Sequence, residues 1–158
     1  MKQGSITSLK VALFLIGFII LSLCIFALPS LASYAAKMNP EFSYFKYPVL
    51  YGLYMTAVPF FFALYQAFKL LTCIESNNAF SEIAVGALSR IKYCAATVVI
   101  LYVLGIFMLG LQNALHPGIA IVGLLIIFTA FVISLFSAVL QELFKNALKL
   151  KVENELTV

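Results

Sequence analysis

The side chains able to carry chemistry in this chain are few and scattered. His116 is the one histidine, and it stands in His116-Pro117-Gly118, a tight-turn signal, with no second ligand nearby in sequence. Metal sites need clustered His, Cys or carboxylate donors, so His116 reads as a turn residue. Cys24, Cys73 and Cys94 form no C-x-x-C pair, which removes the usual machinery of thiol–disulfide exchange. Cys24 falls at membrane depth and the other two near one interface, and all three read as ordinary apolar side chains. No nucleophile with a base, no carboxylate pair and no glycine-rich phosphate loop is visible. These residue types point to a protein that is not an enzyme, with no metal and no cofactor.

The elements that must position such residues follow from composition. Of 158 residues, 64% are hydrophobic and only 10% charged, whereas soluble domains are roughly a quarter charged. Residues 11–36, 47–68, 93–115 and 117–141 contain no Asp, Glu, Lys or Arg. Each run exceeds the roughly 20 residues that a helix needs to cross about 30 Å of hydrocarbon. The runs are continuous rather than alternating, so barrel strands fit poorly. The fold class expected is all-α: a single polytopic domain of four transmembrane helices in an antiparallel bundle, with spans at 9–33, 47–74, 93–114 and 118–141 and a tail at 142–158. No ionisable group falls in the middle of a span, which argues against proton-coupled transport.

Eight of the ten basic residues, Lys2, Lys10, Lys69, Arg90, Lys92, Lys145, Lys149 and Lys151, lie in the N-terminus, the middle loop and the tail. The positive-inside rule then places both termini in the cytoplasm. The net charge of +4 becomes a basic fringe beside anionic lipid and needs no direct nucleic-acid contact. Lys2, Lys10 and the small residues after Pro29 have the flavour of a secretory signal, but the apolar run is too long for one. The first helix therefore reads as a retained span. Tyr34, Tyr44, Tyr47 and Tyr51 gather at the outer boundary and Tyr65 and Tyr93 at the inner one, as aromatic belts do.

Pro59 lies within the second span, where its ring and missing N–H predict a kink. Close packing between helices in lipid uses small residues. Gly52 and Thr56 on the second helix, and Ala130, Ser134 and Ala138 at spacing four on the fourth, are the expected packing positions. Thr56, Gln66, Thr97, Thr129, Ser134 and Ser137 suit interhelical hydrogen bonds.

The stretch NNAFSEIAVGALSRIKY, residues 77–93, is amphipathic. Asn77 and Asn78 end the second helix, and Ser81 caps a new one with Glu82 at its positive end and Arg90 and Lys92 toward its other end. Phe80, Ile83, Ala84, Ala87, Leu88 and Ile91 share a face. The pattern predicts a cytoplasmic amphipathic segment lying on the inner membrane surface between helices two and three. Beyond the fourth span, Leu140, Phe144, Ala147, Leu148 and Val152 continue an apolar stripe into a helical extension. Glu153, Asn154, Glu155, Leu156, Thr157 and Val158 are expected to close the chain as a strand or a disordered end.

TAVPFFFALYQAFKLL in the second helix, NNAFSEIAVGALSRIKYC after it and the closing KVENELTV resemble the YoaS-like bacterial membrane proteins, a domain-of-unknown-function family numbered 2975. The similarity spans nearly the whole chain, with Phe80-Ser81-Glu82 and the acidic end from Glu153 as its descriptive motifs. The resemblance implies a four-span protein of the bacterial cytoplasmic membrane. It also implies a neighbour, since such proteins are often encoded beside a small helix-turn-helix regulator of the Xre type.

The function expected is therefore regulatory. Besides the lipid bilayer, the partner expected is a cytosolic helix-turn-helix transcription regulator, bound through Phe80, Ser81, Glu82, Arg90, Lys92 and the residues from Glu153 to Thr157. The alternative is a homo-oligomer serving as a small pore, an exporter component or an immunity protein against a membrane-active peptide.

Overall fold

Backbone N–H and C=O groups find no water in hydrocarbon, so apolar runs of this length must satisfy them internally as helices. A computed structural model describes residues 3–38, 40–41, 46–77, 80–112 and 117–157, and it is all-α. The elements are α1 (Gln3–Ser22), a π-helical turn (Leu23–Ala27), α2 (Leu28–Met38), α3 (Lys46–Glu75), α4 (Glu82–Leu111) and α5 (Pro117–Thr157). Four candidate spans, Gln3–Ser30, Leu50–Glu75, Glu82–Leu111 and Pro117–Leu156, are long and apolar enough to cross a membrane.

Successive spans are antiparallel. Lys10 of α1 pairs with Glu75 of α3, while the Tyr54 hydroxyl of α3 meets the Cys24 carbonyl in the π turn. Thr56 approaches Tyr102 and Gln66 approaches Arg90, so α3 and α4 run in opposite directions. Phe80 stacks edge-on with Phe144, and Gly123 lies against Ile106, which fixes α5 antiparallel to α4. Among the described residues the substantial approaches between spans join chain neighbours only. The bundle is thus an open succession, with α4 flanked by α3 and α5 and carrying most of the buried apolar side chains, Ala84, Ala87, Leu88, Cys94 and Ala95.

Two expectations are overturned. Residues 82–92 form no separate surface segment, because α4 is one continuous helix from Glu82 to Leu111. The stretch contains no proline, and the buried positions Ala84, Ala87 and Leu88 stay in phase with Cys94 and Ala95 at helical spacing. A bend at Lys92 would break that stripe and strand its first half outside the packing with α3 and α5. The chain end is likewise neither strand nor disordered over residues 153–157, where α5 continues. Residues 142–157 hold no Gly or Pro and are rich in Leu, Lys and Glu, good helix formers that let the helix run on.

Helix lengths set the shape of the molecule. At about 1.5 Å per residue, α5 is roughly 60 Å long, and its stretch after Gln141 reaches about 24 Å past the apolar part. That projection stands at the end carrying the start of α1, the end of α3 and the start of α4.

Candidate functional site

The α3–α4 turn positions the groups at this end. Ser76 N–H donates to the Thr72 carbonyl at 3.1 Å and Asn77 N–H to the Ile74 carbonyl at 3.2 Å. Asn77 has φ 63°, the left-handed conformation that closes helix ends and that asparagine tolerates. Ser81 is extended, at φ −126° and ψ 163°, and its Oγ accepts from Ala84 N–H at 3.3 Å. Glu82 then occupies the first turn of α4, where the helix dipole favours an acid. Asn78 lies outside the described residues.

This capped turn presents Phe80 to the projecting part of α5. The Phe80 and Phe144 rings meet edge to face at 5.3 Å, and an open groove is lined by Phe80, Ala147, Leu150, Lys151, Asn154 and Glu155. Three residues singled out by sequence, Phe80, Asn154 and Glu155, thus line one feature although more than seventy positions separate the first from the others. Glu153 and Leu156 are exposed outside the groove lining, and Thr157 ends α5. Ser81 and Glu82 shape the turn. Arg90 and Lys92 lie further along α4, away from the groove.

A belt of polar contacts crosses the helices at Arg90 and Lys92. Arg90 Nη1 donates to Gln66 Oε1 at 3.4 Å, and Lys92 Nζ donates to Gln141 Oε1 at 2.9 Å and sits 4.7 Å from the Tyr93 ring. The Ser134 hydroxyl donates to the Lys92 carbonyl at 3.1 Å. Gln66 and Gln141 are buried, at 3% and 8% exposure, so each glutamine holds a cation from inside the helix packing. On the other flank Lys10 pairs with Glu75 and lies 5.2 Å from the Phe68 ring, which itself meets Phe14.

The packing positions divide. Ala130 is buried, Ser134 bridges to α4, Ala138 is half-buried, and Thr56 Oγ1 donates to the Leu53 carbonyl at 2.7 Å with Tyr102 Oη 3.5 Å away. Gly52 is a correction: it is exposed, and a Cβ built on it meets nothing within 4 Å. The close glycine is Gly123, where a Cβ would fall 2.6 Å from Ile106 Cδ1. Thr97 and Thr129 bond back to carbonyls of their own helices, whereas Gln66 and Ser137 are buried. A signal was present for the missed positions, since Gly123, Ala130 and Ser137 repeat every seven residues, as do Ser134 and Gln141.

Pro59 lies inside α3, which continues through it, and Cys73 and Cys94 are buried free thiols with Cys24 half-buried. Tyr34, Tyr51, Tyr65 and Tyr93 are exposed, as lipid-facing belts require. His116, Tyr44 and Val158 fall outside the described residues, and nothing is described of the Tyr47 side chain. Among the described residues no group of three or more His, Cys, Asp or Glu is placed to share a metal ion.

Four long apolar helices that expose aliphatic and aromatic side chains along their spans define a multi-pass α-helical membrane protein. The chain belongs to DUF2975, a family described as a protein of unknown function, which matches residues 30–158. It is 52% identical to the uncharacterized membrane protein YoaS of Bacillus subtilis (strain 168), over 160 residues and the full length of both chains. No solved structure matches it.

Proposed function

We propose that the chain is a non-enzymatic regulatory membrane protein that has both termini in the cytoplasm and binds a soluble helix-turn-helix transcription regulator at that end. The observation that carries this reading is the groove between Phe80 and the projecting part of α5. Its apolar lining of Phe80, Ala147 and Leu150 is flanked by Lys151 and Glu155, the pattern that receives an amphipathic helix. The bias of basic residues toward this end supports the cytoplasmic orientation.

The experiment uses the purified full-length protein in mild detergent and a purified small helix-turn-helix regulator of the kind the resemblance implies, with binding followed by fluorescence anisotropy. A chain ending at Val152, or one carrying Phe80→Ala, loses the binding shown by the intact chain. Equal binding by all three, or none by the intact chain, counts against the reading. Reporter fusions at the two termini check the orientation separately.

A second reading is favoured by the open helix packing, in which, among the described residues, α3 is the span against which α1 packs substantially. In it, copies associate laterally into a small pore, exporter component or immunity protein. Light scattering of the detergent complex and ion flux into vesicles test it.

A further inference from the structure

Arg90 and Lys92 are held in place without being neutralised. Each is oriented by the neutral amide of a buried glutamine, Gln66 for Arg90 and Gln141 for Lys92. Among the described residues neither has a carboxylate within ion-pair distance. The nearby acids are otherwise engaged or distant: Glu75 pairs with Lys10, Glu142 lies 3.9 Å from Lys145, and Glu82 is two turns back along α4. An amide oxygen fixes a cation's direction but leaves its full charge. The guanidinium retains further N–H donors beyond the one spent on Gln66, and so does the ammonium beyond Gln141.

The placement of the two cations is equally specific. At about 100° per residue, side chains two apart leave a helix on nearly opposite sides. Ala84, Ala87, Leu88 and Ala95 fill one arc between them and are buried. The other arc, facing outward, carries Ser89 and the exposed Tyr93. The Ser89 hydroxyl has no hydrogen-bond partner among the described residues, although serines at helical positions such as Ser8 and Ser30 bond back to their own helix. The charge-free stretch of α4 begins at Tyr93. About 30 Å of hydrocarbon measured from there leaves Ser89, Arg90 and Lys92 at headgroup level.

From this geometry we infer that Arg90 and Lys92, on either flank of the outward face that carries Ser89, each bind the phosphate diester of an anionic phospholipid, with the Tyr93 ring at the boundary below. Each cation takes one headgroup phosphate on its own flank of α4, and the lipids supply the negative charge that the protein withholds. Basic positions between membrane helices recognise anionic headgroups in this way. The two glutamines act as positioning residues.

The test is native mass spectrometry of the detergent-purified full chain, titrated with phosphatidylglycerol, phosphatidylcholine or inorganic phosphate, with thermal unfolding in parallel. Phosphatidylglycerol is retained and raises the unfolding midpoint, and phosphatidylcholine and inorganic phosphate do neither. In R90Q/K92Q the affinity for phosphatidylglycerol drops by about thirtyfold, the effect of removing two interfacial cations. The charge-keeping R90K/K92R retains binding, and K145Q/K149Q, which lowers net charge by the same amount elsewhere, leaves it unchanged. Equal binding of phosphatidylcholine by the unaltered chain overturns the site, and that measurement stands even where R90Q/K92Q fails to fold. So does an equal loss in K145Q/K149Q. A response to inorganic phosphate matching that to phosphatidylglycerol overturns the lipid as its source.

Discussion

Tyr54→Phe removes one hydrogen bond whose need can be traced through the backbone. In the π turn, Leu28 N–H reaches back five residues to the Leu23 carbonyl. The next acceptor, the Cys24 carbonyl, would take Leu28 N–H in an α-helix or the N–H of residue 29 in a π-helix. The first is used and the second is Pro29, which has none. The Tyr54 hydroxyl fills the gap at 2.6 Å, from α3. Deleting it leaves a carbonyl without a donor inside hydrocarbon, which costs about 1–2 kcal/mol, at the upper end of measured membrane hydrogen bonds. In a Pro29→Ala background residue 29 regains an N–H, so the cost of Tyr54→Phe falls below about 0.5 kcal/mol. The assay is a double-mutant cycle on reversible unfolding in mixed micelles, read by far-ultraviolet circular dichroism. A Tyr54→Phe penalty of the same size with and without Pro29 refutes the reasoning.

The other predictions concern packing and capping. Gly123→Ala places its Cβ against the end of Ile106, destabilising by about 1 kcal/mol; in an Ile106→Val background, which lacks Cδ1 but keeps the Cγ 3.3 Å away, the penalty is smaller in the micelle unfolding assay. Gly52→Ala meets open space and stabilises by about 0.5–1 kcal/mol through helix propensity alone; a loss of stability or of native packing would restore Gly52 as a contact. Ser81→Ala removes the acceptor for Ala84 N–H and costs about 1 kcal/mol, whereas Ser81→Gly costs a few tenths; hydrogen exchange of the first turn of α4 shows the same order.

Spans were legible because lipid makes a one-dimensional demand, a long charge-free run, that local sequence answers. Capping was legible for the same reason: Asn77 and Ser81 act on neighbours within four positions. What escaped was long-range. The amphipathic reading of residues 80–92 held for Ala84, Ala87 and Leu88, which bury together against α3 and α5 rather than lying on a membrane surface. Ile83, however, is exposed, and Phe80 precedes the helix and meets Phe144 of α5. Amphipathicity alone does not distinguish a protein neighbour from an interface. Gly52 was chosen for its size, yet a small residue permits close approach without causing it. Only the facing side chain decides, and for Gly123 that is Ile106.

The polar belt shows why counting charges by compartment gives so little of a site. In the charge count Arg90 and Lys92 were two more positive charges on one side of the membrane beside Lys145 and Lys149, and their naming as partner contacts rested on the amphipathic segment, not on what aims them. In the fold they are not interchangeable. Lys145 is half-exposed and its nearest acid is Glu142 on its own helix, while Arg90 and Lys92 are aimed by glutamines from α3 and α5, 24 and 49 positions away in sequence. A carboxylate at either glutamine would have cancelled a charge and made the contact a structural ion pair. An amide keeps the helices registered and leaves the charge available, so residues 66 and 141 decide what the cations on α4 are free to bind.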